Sequence, residues 1–468
     1  MSNVVEQLYT GCLAQGAYYI ESNGEAAVID PLRETAPYVK MAEERGAKIK
    51  YIFETHFHAD FVSGHVDLAK KTGATIVYGP TADPSYDVHV ATDNEEFKLG
   101  DYVIRVLHTP GHTMESSTFL LLKGGKEEAI FTGDTLFLGD VGRPDLAVKT
   151  DLTREDLAAH LYDSLRNKIM TLPDDVTIYP GHGAGSACGK NMSKETVGKL
   201  GEQKETNYAL QDMTKEEFIK QVTSGILPPP QYFPKNAMMN KFGYEDFDEV
   251  LSHGLTAMEP AAFAEAMKQE GVVVLDTRAP QTFKDGFVHG AMNIGLSGKF
   301  APWVGALITD IKAPILLITD EGGEEEAVTR LSRVGYDNTI GFLKGGMVAW
   351  EAAGLNVETI TSIPATELEA KMEEGTVDII DVRGPNEYIS QHIKGAESFP
   401  LDYINDHLND LDKDKKYYLH CAGGYRSMIA TSILRANGYN NIIDVAGGFG
   451  AIKETGIMLT EYVCPSTL

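Results

Sequence analysis

In the run Glu54-Thr55-His56-Phe57-His58-Ala59-Asp60-Phe61 two histidines and an aspartate alternate, which is ligand spacing. Alternate side chains share a direction where the backbone is extended, and a loop can also make them converge. Three more donors follow apolar runs downstream: His112 in HTPGHT, Asp134 in FTGDTLF and His182 in YPGHG. One histidine near an apolar strand is ordinarily a satisfied structural residue. A set that recurs at successive strand ends reads as a metal site. Neutral imidazole and carboxylate suit zinc, iron or manganese, and the lack of a nearby cysteine argues against an iron–sulfur cluster.

A second group of reactive residues lies far away, in LHCAGGYRS, Leu419 to Ser427. Cys421 ends the apolar run KYYLH and precedes the helical SMIATSILRANG. Two glycines let such a loop curl its N–H groups around one centre, where the helix N-terminus and Arg426 add positive potential. Those features lower a thiol's pKa, and the thiolate can take a sulfane sulfur and hold it as a persulfide.

Both groups need elements that deliver them. From about Gly16 to Gly183, β-rich runs (AAVID, IKYIFETH, ATIVYG, YVIRVLHTPGH, EAIFTGDTLF, VTIYPGHG) alternate with helical stretches such as TAPYVKMAEERG and TREDLAAHLYDSLRNKIM. Between about Lys204 and Met258 the proline run in GILPPPQYFPKN excludes a helix interior or central strand, which reads as a linker or wrapping segment. The remainder repeats itself. VVVLDTRAPQTFKDGFVHGAMNIGL resembles VDIIDVRGPNEYISQHIKGAESFPL, and the likeness continues to the end of each unit. The expected division is 1–203, a segment 204–254, then repeats at 255–358 and 359–468, each repeat a parallel sheet with helices on both faces. Opposite Cys421 the first repeat is expected to carry Asp320, and opposite Arg426 the acidic run Glu324-Glu325-Glu326. No thiol is available there, and the charge repels anionic sulfur donors.

A net charge of -27 leaves no basic footprint for nucleic acid. No apolar stretch reaches bilayer length, and the N-terminal residues lack the pattern of a signal peptide. Four scattered cysteines make no disulfide framework, so a reducing cytoplasm is the expected compartment.

The ordered set HFHAD, TPGHT, TGDTLF and YPGHG resembles the metallo-β-lactamase superfamily over about Met1 to Gly201. That resemblance implies an αββα sandwich with a metal at one edge. GDVGRPDL, Gly139 to Leu146, together with the HADxxSG context, resembles its persulfide dioxygenase branch. Two-zinc hydrolases of the superfamily follow the HxH pair with an Asp-His pair, and here Phe61 replaces the histidine. Phenylalanine has no lone pair, so a second metal would rest on Asp60, His182 and a bridging Asp134. The resemblance implies instead that His56, His112 and Asp134 hold one Fe(II) per chain, a two-histidine, one-carboxylate triad with open positions for substrate and dioxygen. His58, Asp60 and His182 are then outer groups that orient ligands and waters, or an alternative ligand set. Zinc, in a hydrolase of the glyoxalase II type, is the alternative. Arg143 reads as a clamp for a substrate carboxylate or as an ion pair with Asp145 or Asp140. Cys188 is expected either to hold a persulfide sulfur or to be a small buried residue.

The CxxGxR loop, with DVRGPNEYISQHIKGA and VAGGFGAI, resembles the rhodanese family over about Ser362 to Ile457, and the first repeat resembles an inactive rhodanese with a structural role. The fold class expected is α/β and α+β: the αββα sandwich followed by two rhodanese-like, doubly wound parallel-sheet domains. Together the resemblances imply oxidation of a low-molecular-weight thiol persulfide by dioxygen to sulfite, then sulfur transfer through Cys421 to give thiosulfate. They leave a homo-oligomer open.

Overall fold

Runs such as QGAYYIES and STFLLLK are buried along nearly their whole length, so each must lie inside a sheet covered on both faces. The computed structural model describes residues 3–147, 152–375 and 377–464. One compact unit holds residues 1–249 and 331–335, and a second holds 250–330 and 336–468.

In the first unit one sheet orders β1 (Val4–Thr10), β2 (Gln15–Ser22), β3 (Glu25–Ile29), β4 (Lys48–Glu54), β5 (Thr75–Tyr78) and β6 (His89–Val90) side by side. The other is built from β7 (Glu96–Leu99), β8 (Tyr102–His108), β9 (Ser117–Lys123), β10 (Lys126–Gly133), β11 (Thr177–Pro180) and β12 (Gly198–Lys199), again in sequence order. Their facing sides share a core of Tyr18, Phe53, Phe97, Phe119 and Phe131. Phe53 sits 5.4 Å from Phe97 and 4.8 Å from Phe119 between ring centroids. Truncating one of these to alanine costs about 3–5 kcal/mol. Helices Ala36–Arg45 and His65–Thr72 put Tyr38, Ala42 and Leu68 on the outer face of the first sheet. Helix Arg154–Ser164 starts from a Thr153/Asp156 capping box and lays Ala158 and Leu161 on the second. The result is a four-layer αββα sandwich, as the family resemblance implies.

The second unit contains two five-stranded sheets in which every pairing is parallel. The first orders β13 (Ala257–Met258), β17 (Thr339–Leu343), β16 (Ile315–Ile318), β14 (Val273–Asp276) and β15 (Met292–Asn293). The second repeats that order as β18 (Thr361–Pro364), β22 (Ile442–Ala446), β21 (Tyr417–His420), β19 (Asp378–Asp381) and β20 (Glu397–Ser398). Reversal of strand order within each sheet is the signature of a doubly wound fold. Helix Tyr425–Ala436 is buried from Ser427 to Leu434, which its small and apolar residues allow. Met428 enters the core of the first repeat, and Ser432 Oγ accepts from Asn293 N at 2.9 Å.

The segment after residue 203 is mostly helical, with helices Lys215–Thr223, Phe233–Phe242 and Phe247–Gly254, while Pro228, Pro229 and Pro230 lie outside any element. Pro234 occupies the first turn of its helix, where no intrahelical N–H is required. From that helix the fully buried Asn240 reaches the 56–63 loop. Its Nδ2 donates to the carbonyls of His58 and Phe61, both at 2.7 Å, and its Oδ1 accepts from Ser63 N at 2.9 Å. Replacing it leaves three backbone groups unpaired in the interior. Asn240→Ala is expected to lower the stability of the first unit by about 3 kcal/mol, read by chemical denaturation. An unchanged midpoint would show that the loop holds itself.

Candidate functional site

Every donor in the first group stands in a loop just past the end of a strand. His56, His58 and Asp60 lie between β4 and helix His65–Thr72, so a loop makes them converge; no extended strand does. His112 follows β8, Asp134 follows β10 and His182 follows β11. Ligand atoms of His56, His112 and Asp134 lie within 4.8 Å of one another, and so do those of His58, Asp60 and His182. Asp134 sits between the sets, with Oδ2 3.4 Å from His112 Nε2 and Oδ1 3.5 Å from His182 Nε2. Glycines make this approach possible. A Cβ on Gly181 would stand 2.7 Å from Asp134 Oδ1, and one on Gly142 would stand 2.0 Å from the Asp134 carbonyl oxygen.

Three imidazoles are oriented from behind. His112 Nδ1 donates to the Arg143 carbonyl at 2.8 Å, and His182 Nδ1 to the Ala14 carbonyl at 3.2 Å. Thr55 Oγ1 donates to Asp30 Oδ2 at 2.9 Å, which leaves it to accept from His56 Nδ1 at 3.0 Å. With its proton on Nδ1, each ring presents an Nε2 lone pair on the other side. Burial, reinforced by His58, His112 and His182, holds the His56 pKa well below its usual range, so the ring is neutral. Burial, with Asp134 adding to it, raises the Asp60 carboxyl. His182 Nε2, both Asp134 oxygens and Asp60 Oδ1 are buried without a hydrogen-bond partner. Lone pairs packed this closely in an apolar interior repel unless a cation lies among them. The donor set therefore fits a metal ion.

His58 stands in both candidate roles. Its Nε2 is 3.1 Å from Asp30 Oδ1 and 3.6 Å from Glu54 Oε2, close enough for ion pairing though not aligned for a hydrogen bond. Burial works against its protonation, but the charge of Asp30 prevails and raises the pKa to about 9. Burial and Asp30 push the Glu54 carboxyl well above its usual range, so Glu54 stays protonated. Phe61, fully buried, packs on the His58 ring with centroids 4.3 Å apart.

Arg143 and Cys188, each open to two readings from sequence, have defined surroundings here. Arg143 is not a free clamp: its guanidinium holds Asp145 at 2.7 and 2.8 Å and donates to the Leu227 and Ala187 carbonyls. The ion pair wins because Asp145, two residues on, satisfies both arms of the fork inside the protein. Cys188 is buried beside the metal donors, in a cluster with Asp134 and His182. Burial and the charges of Asp60 and Asp134 push its thiol well up, so it sits there protonated. Cys12, Cys188 and Cys421 are free thiols.

In the second unit Cys421 follows β21, and Gly424, at φ 103°, turns its N–H onto Sγ at 3.1 Å. Arg426 does not act as a free cation, because its two terminal nitrogens donate to Glu387 at 2.5 and 2.8 Å. A cavity of about 430 Å³ opens onto Cys421 and is lined by Ala422, Gly423, Tyr425 and Arg426, together with Lys299 and Trp303 from the first repeat. Strand register also revises the repeat alignment. Asp276 pairs with Ile318 as Asp381 pairs with His420, which puts Thr319, not Asp320, at the position of Cys421. One extra residue before helix Glu324–Ser332 explains why the glycines align and the strands do not.

Sequence reasoning missed Asp30, Thr55 and Asn240, whose side chains act through hydrogen bonds on ligand-bearing loops, and Glu387, which neutralises Arg426. VID before a turn carried a faint signal for Asp30; Asn240 had none.

Residues 10–182 match the metallo-β-lactamase superfamily, and residues 259–353 and 364–455 each match the rhodanese-like domain. The chain belongs to the metallo-β-lactamase superfamily and carries two rhodanese-like domains behind that fold. Among curated relatives, human mitochondrial persulfide dioxygenase ETHE1 is 32% identical over 209 residues, 44% of this chain and 74% of that protein. A hydroxyacylglutathione hydrolase of Pelagibacter ubique is 33% identical over 36% of this chain and 68% of that protein. A crystal structure of a metallo-beta-lactamase from Staphylococcus aureus has a TM-score of 0.64 at 31% identity, covering 73% of this chain and 98% of that one.

Loss of an orienting partner weakens metal binding by roughly 10–100-fold. Thr55→Val is expected to do so in a chelator competition, whereas Thr55→Ser retains affinity; equal affinities would show that His56 needs no orientation. His58, with a pKa raised from 6.5 to about 9, stabilises the fold fully below about pH 6.5 and loses that contribution as pH rises through 9. The stability difference between the metal-free protein and its His58→Gln variant is expected to shrink over that window. A constant difference would remove the ion pair with Asp30 from the account.

Proposed function

We propose that the first unit oxidises the outer sulfur of a low-molecular-weight thiol persulfide to sulfite, and that Cys421 carries sulfane sulfur onto sulfite to give thiosulfate. The observation that carries this reading is the pairing, in one chain, of a two-histidine, one-carboxylate cluster with a cysteine whose Sγ accepts a backbone N–H at the mouth of a cavity. The likeness to persulfide dioxygenases over the first domain supports it.

On this reading His56, His112 and Asp134 would hold one Fe(II), which would supply the redox chemistry between substrate and dioxygen. The chain's own residues bind and handle protons. A cavity of about 340 Å³ beside His112, walled by Phe57, Met114 and Leu146, suits a small thiol, and Lys241 offers a cation at its edge. In this reading the pair of His182 Nε2 and Asp60 Oδ2, 3.3 Å apart, takes the proton of the persulfide. One persulfide, one dioxygen and one water yield one thiol, one sulfite and two protons, the outer sulfur losing the four electrons that dioxygen gains. At Cys421 the thiolate first takes the outer sulfur of a persulfide and releases a thiol. The sulfur lone pair of sulfite then attacks that outer sulfur, the S–S bond breaks, and the electron pair returns to Sγ.

A second reading has its own support. His58, Asp60 and His182 form a second donor set, as a two-metal thioester hydrolase of the glyoxalase II type requires, and hydroxyacylglutathione hydrolases are also among the relatives. Phe61 and the engagement of His58 with Asp30 favour the mononuclear reading.

Protein purified with and without air should contain about one iron per chain and consume oxygen on glutathione persulfide. Cys421→Ser should consume oxygen at the same rate but release sulfite in place of thiosulfate. Two zinc ions without oxygen uptake would establish the hydrolase, and undiminished thiosulfate from Cys421→Ser would uncouple the two sites.

A further inference from the structure

The rhodanese-like repeat without a cysteine has residues in the cavity of the repeat that has one. Its strand β15 leads into GLSGKFAPW, and helix Phe300–Leu307 begins directly after Lys299. One turn separates Lys299 from Trp303, so both side chains lie on one face of that helix start and line the cavity over Cys421. The placement is built in. Tyr425, the first residue of the helix after the Cys421 loop, donates its hydroxyl to the Gly295 carbonyl at 2.8 Å. Gly298 leaves room for that ring, since a Cβ there would stand 2.3 Å from it. Any larger residue at 298 would push the two repeats apart at the cavity.

Charge then selects the ligand. The cavity has two cationic side chains, Lys299 and Arg426. Arg426 is neutralised by a two-armed contact with Glu387, whereas the Lys299 ammonium has no carboxylate or hydrogen-bond partner among the described residues. Among the described residues that line the cavity, the one cation without a carboxylate partner therefore comes from the other repeat. Trp303 adds an apolar wall, which lowers the local dielectric beside the cation and strengthens its pull on an anion.

We propose that Lys299, backed by Trp303, completes the Cys421 site by binding the doubly charged sulfur oxyanion, sulfite as it accepts sulfur and thiosulfate as it forms. This rests on the sulfurtransferase reading of Cys421 and extends it: the cysteine-less repeat supplies acceptor specificity. Lys299 positions the anion and takes no part in bond making. Sulfite donates its lone pair to the outer sulfur of the Cys421 persulfide, the S–S bond breaks, and Cys421 Sγ leaves as a thiolate facing the Gly424 N–H.

The test uses the full-length chain and its Lys299→Gln, Lys299→Glu and Lys299→Arg variants. Lys299 is exposed, so these changes leave the core intact. With glutathione persulfide as donor, Lys299→Gln is expected to raise KM for sulfite roughly ten-fold, Lys299→Glu to raise it further, and Lys299→Arg to restore it, with kcat nearly unchanged. A second readout needs no turnover: thiosulfate titrated into Cys421→Ser should perturb the fluorescence of Trp303, and adding Lys299→Gln should weaken that binding by a similar factor. Sulfur transfer that depends on Cys421 but has the same KM for sulfite in all three variants would overturn the assignment of Lys299 while leaving the sulfurtransferase intact. Thiosulfate binding that depends on Lys299, in a protein that transfers no sulfur, would uphold the anion site and remove the sulfurtransferase reading.

Discussion

The first unit depends on a confined repulsion. Imidazole nitrogens and carboxylate oxygens from four loops meet at the edge of two sheets, buried, with several of the facing atoms lacking any proton between them. In an interior of low dielectric that arrangement is costly, and a cation is what turns the repulsion into cohesion. Much of the surrounding structure keeps the lone pairs pointing inward. Carbonyls of Ala14 and Arg143 hold the outer nitrogens of His182 and His112, and Asp30 does the same for His56 through Thr55.

Asp30 links this centre to the fold. It accepts from Thr55 N at 2.8 Å and from Thr55 Oγ1, and it faces His58. One buried carboxylate thus sets the start of the ligand loop and the ionisation of its second histidine. Asn240 closes the same loop from the opposite side, gripping backbone where Asp30 grips side chains. The loop carries three donors within five residues, and backbone held this way resists the splaying that their mutual repulsion favours.

In the second unit a duplication has been put to unequal use. Both repeats keep the strand order and an Asp–Arg pair after the second strand, Asp276 with Arg278 and Asp381 with Arg383, each at 2.6 Å. Only one keeps the thiol. At the matching position the other has Thr319, whose Oγ1 donates to Glu324 Oε1 at 3.1 Å, so the acidic loop closes on itself. What the first repeat retains is its contact with helix Tyr425–Ala436, through Asn293, Gly295 and Gly298.

The αββα sandwich came from the family resemblance, whereas spacing and residue type were enough to read the alternation of strands and helices in the first unit, the two parallel-sheet repeats and both clusters of reactive residues. These rest on local regularities: strand ends recur, donors alternate, and a glycine-rich loop precedes a helix. Tertiary structure alone decided the partners. Arg143 and Arg426 look the same in sequence whether free or neutralised, and only folding brings Asp145 into the fork of one and Glu387 against the other. Asn240 in a presumed connector, Thr319 in place of Asp320, and Lys299 over a cysteine more than a hundred residues away follow from long-range packing and strand register. No periodicity encodes those contacts, because each forms between segments whose separation along the chain carries no information about their separation in space.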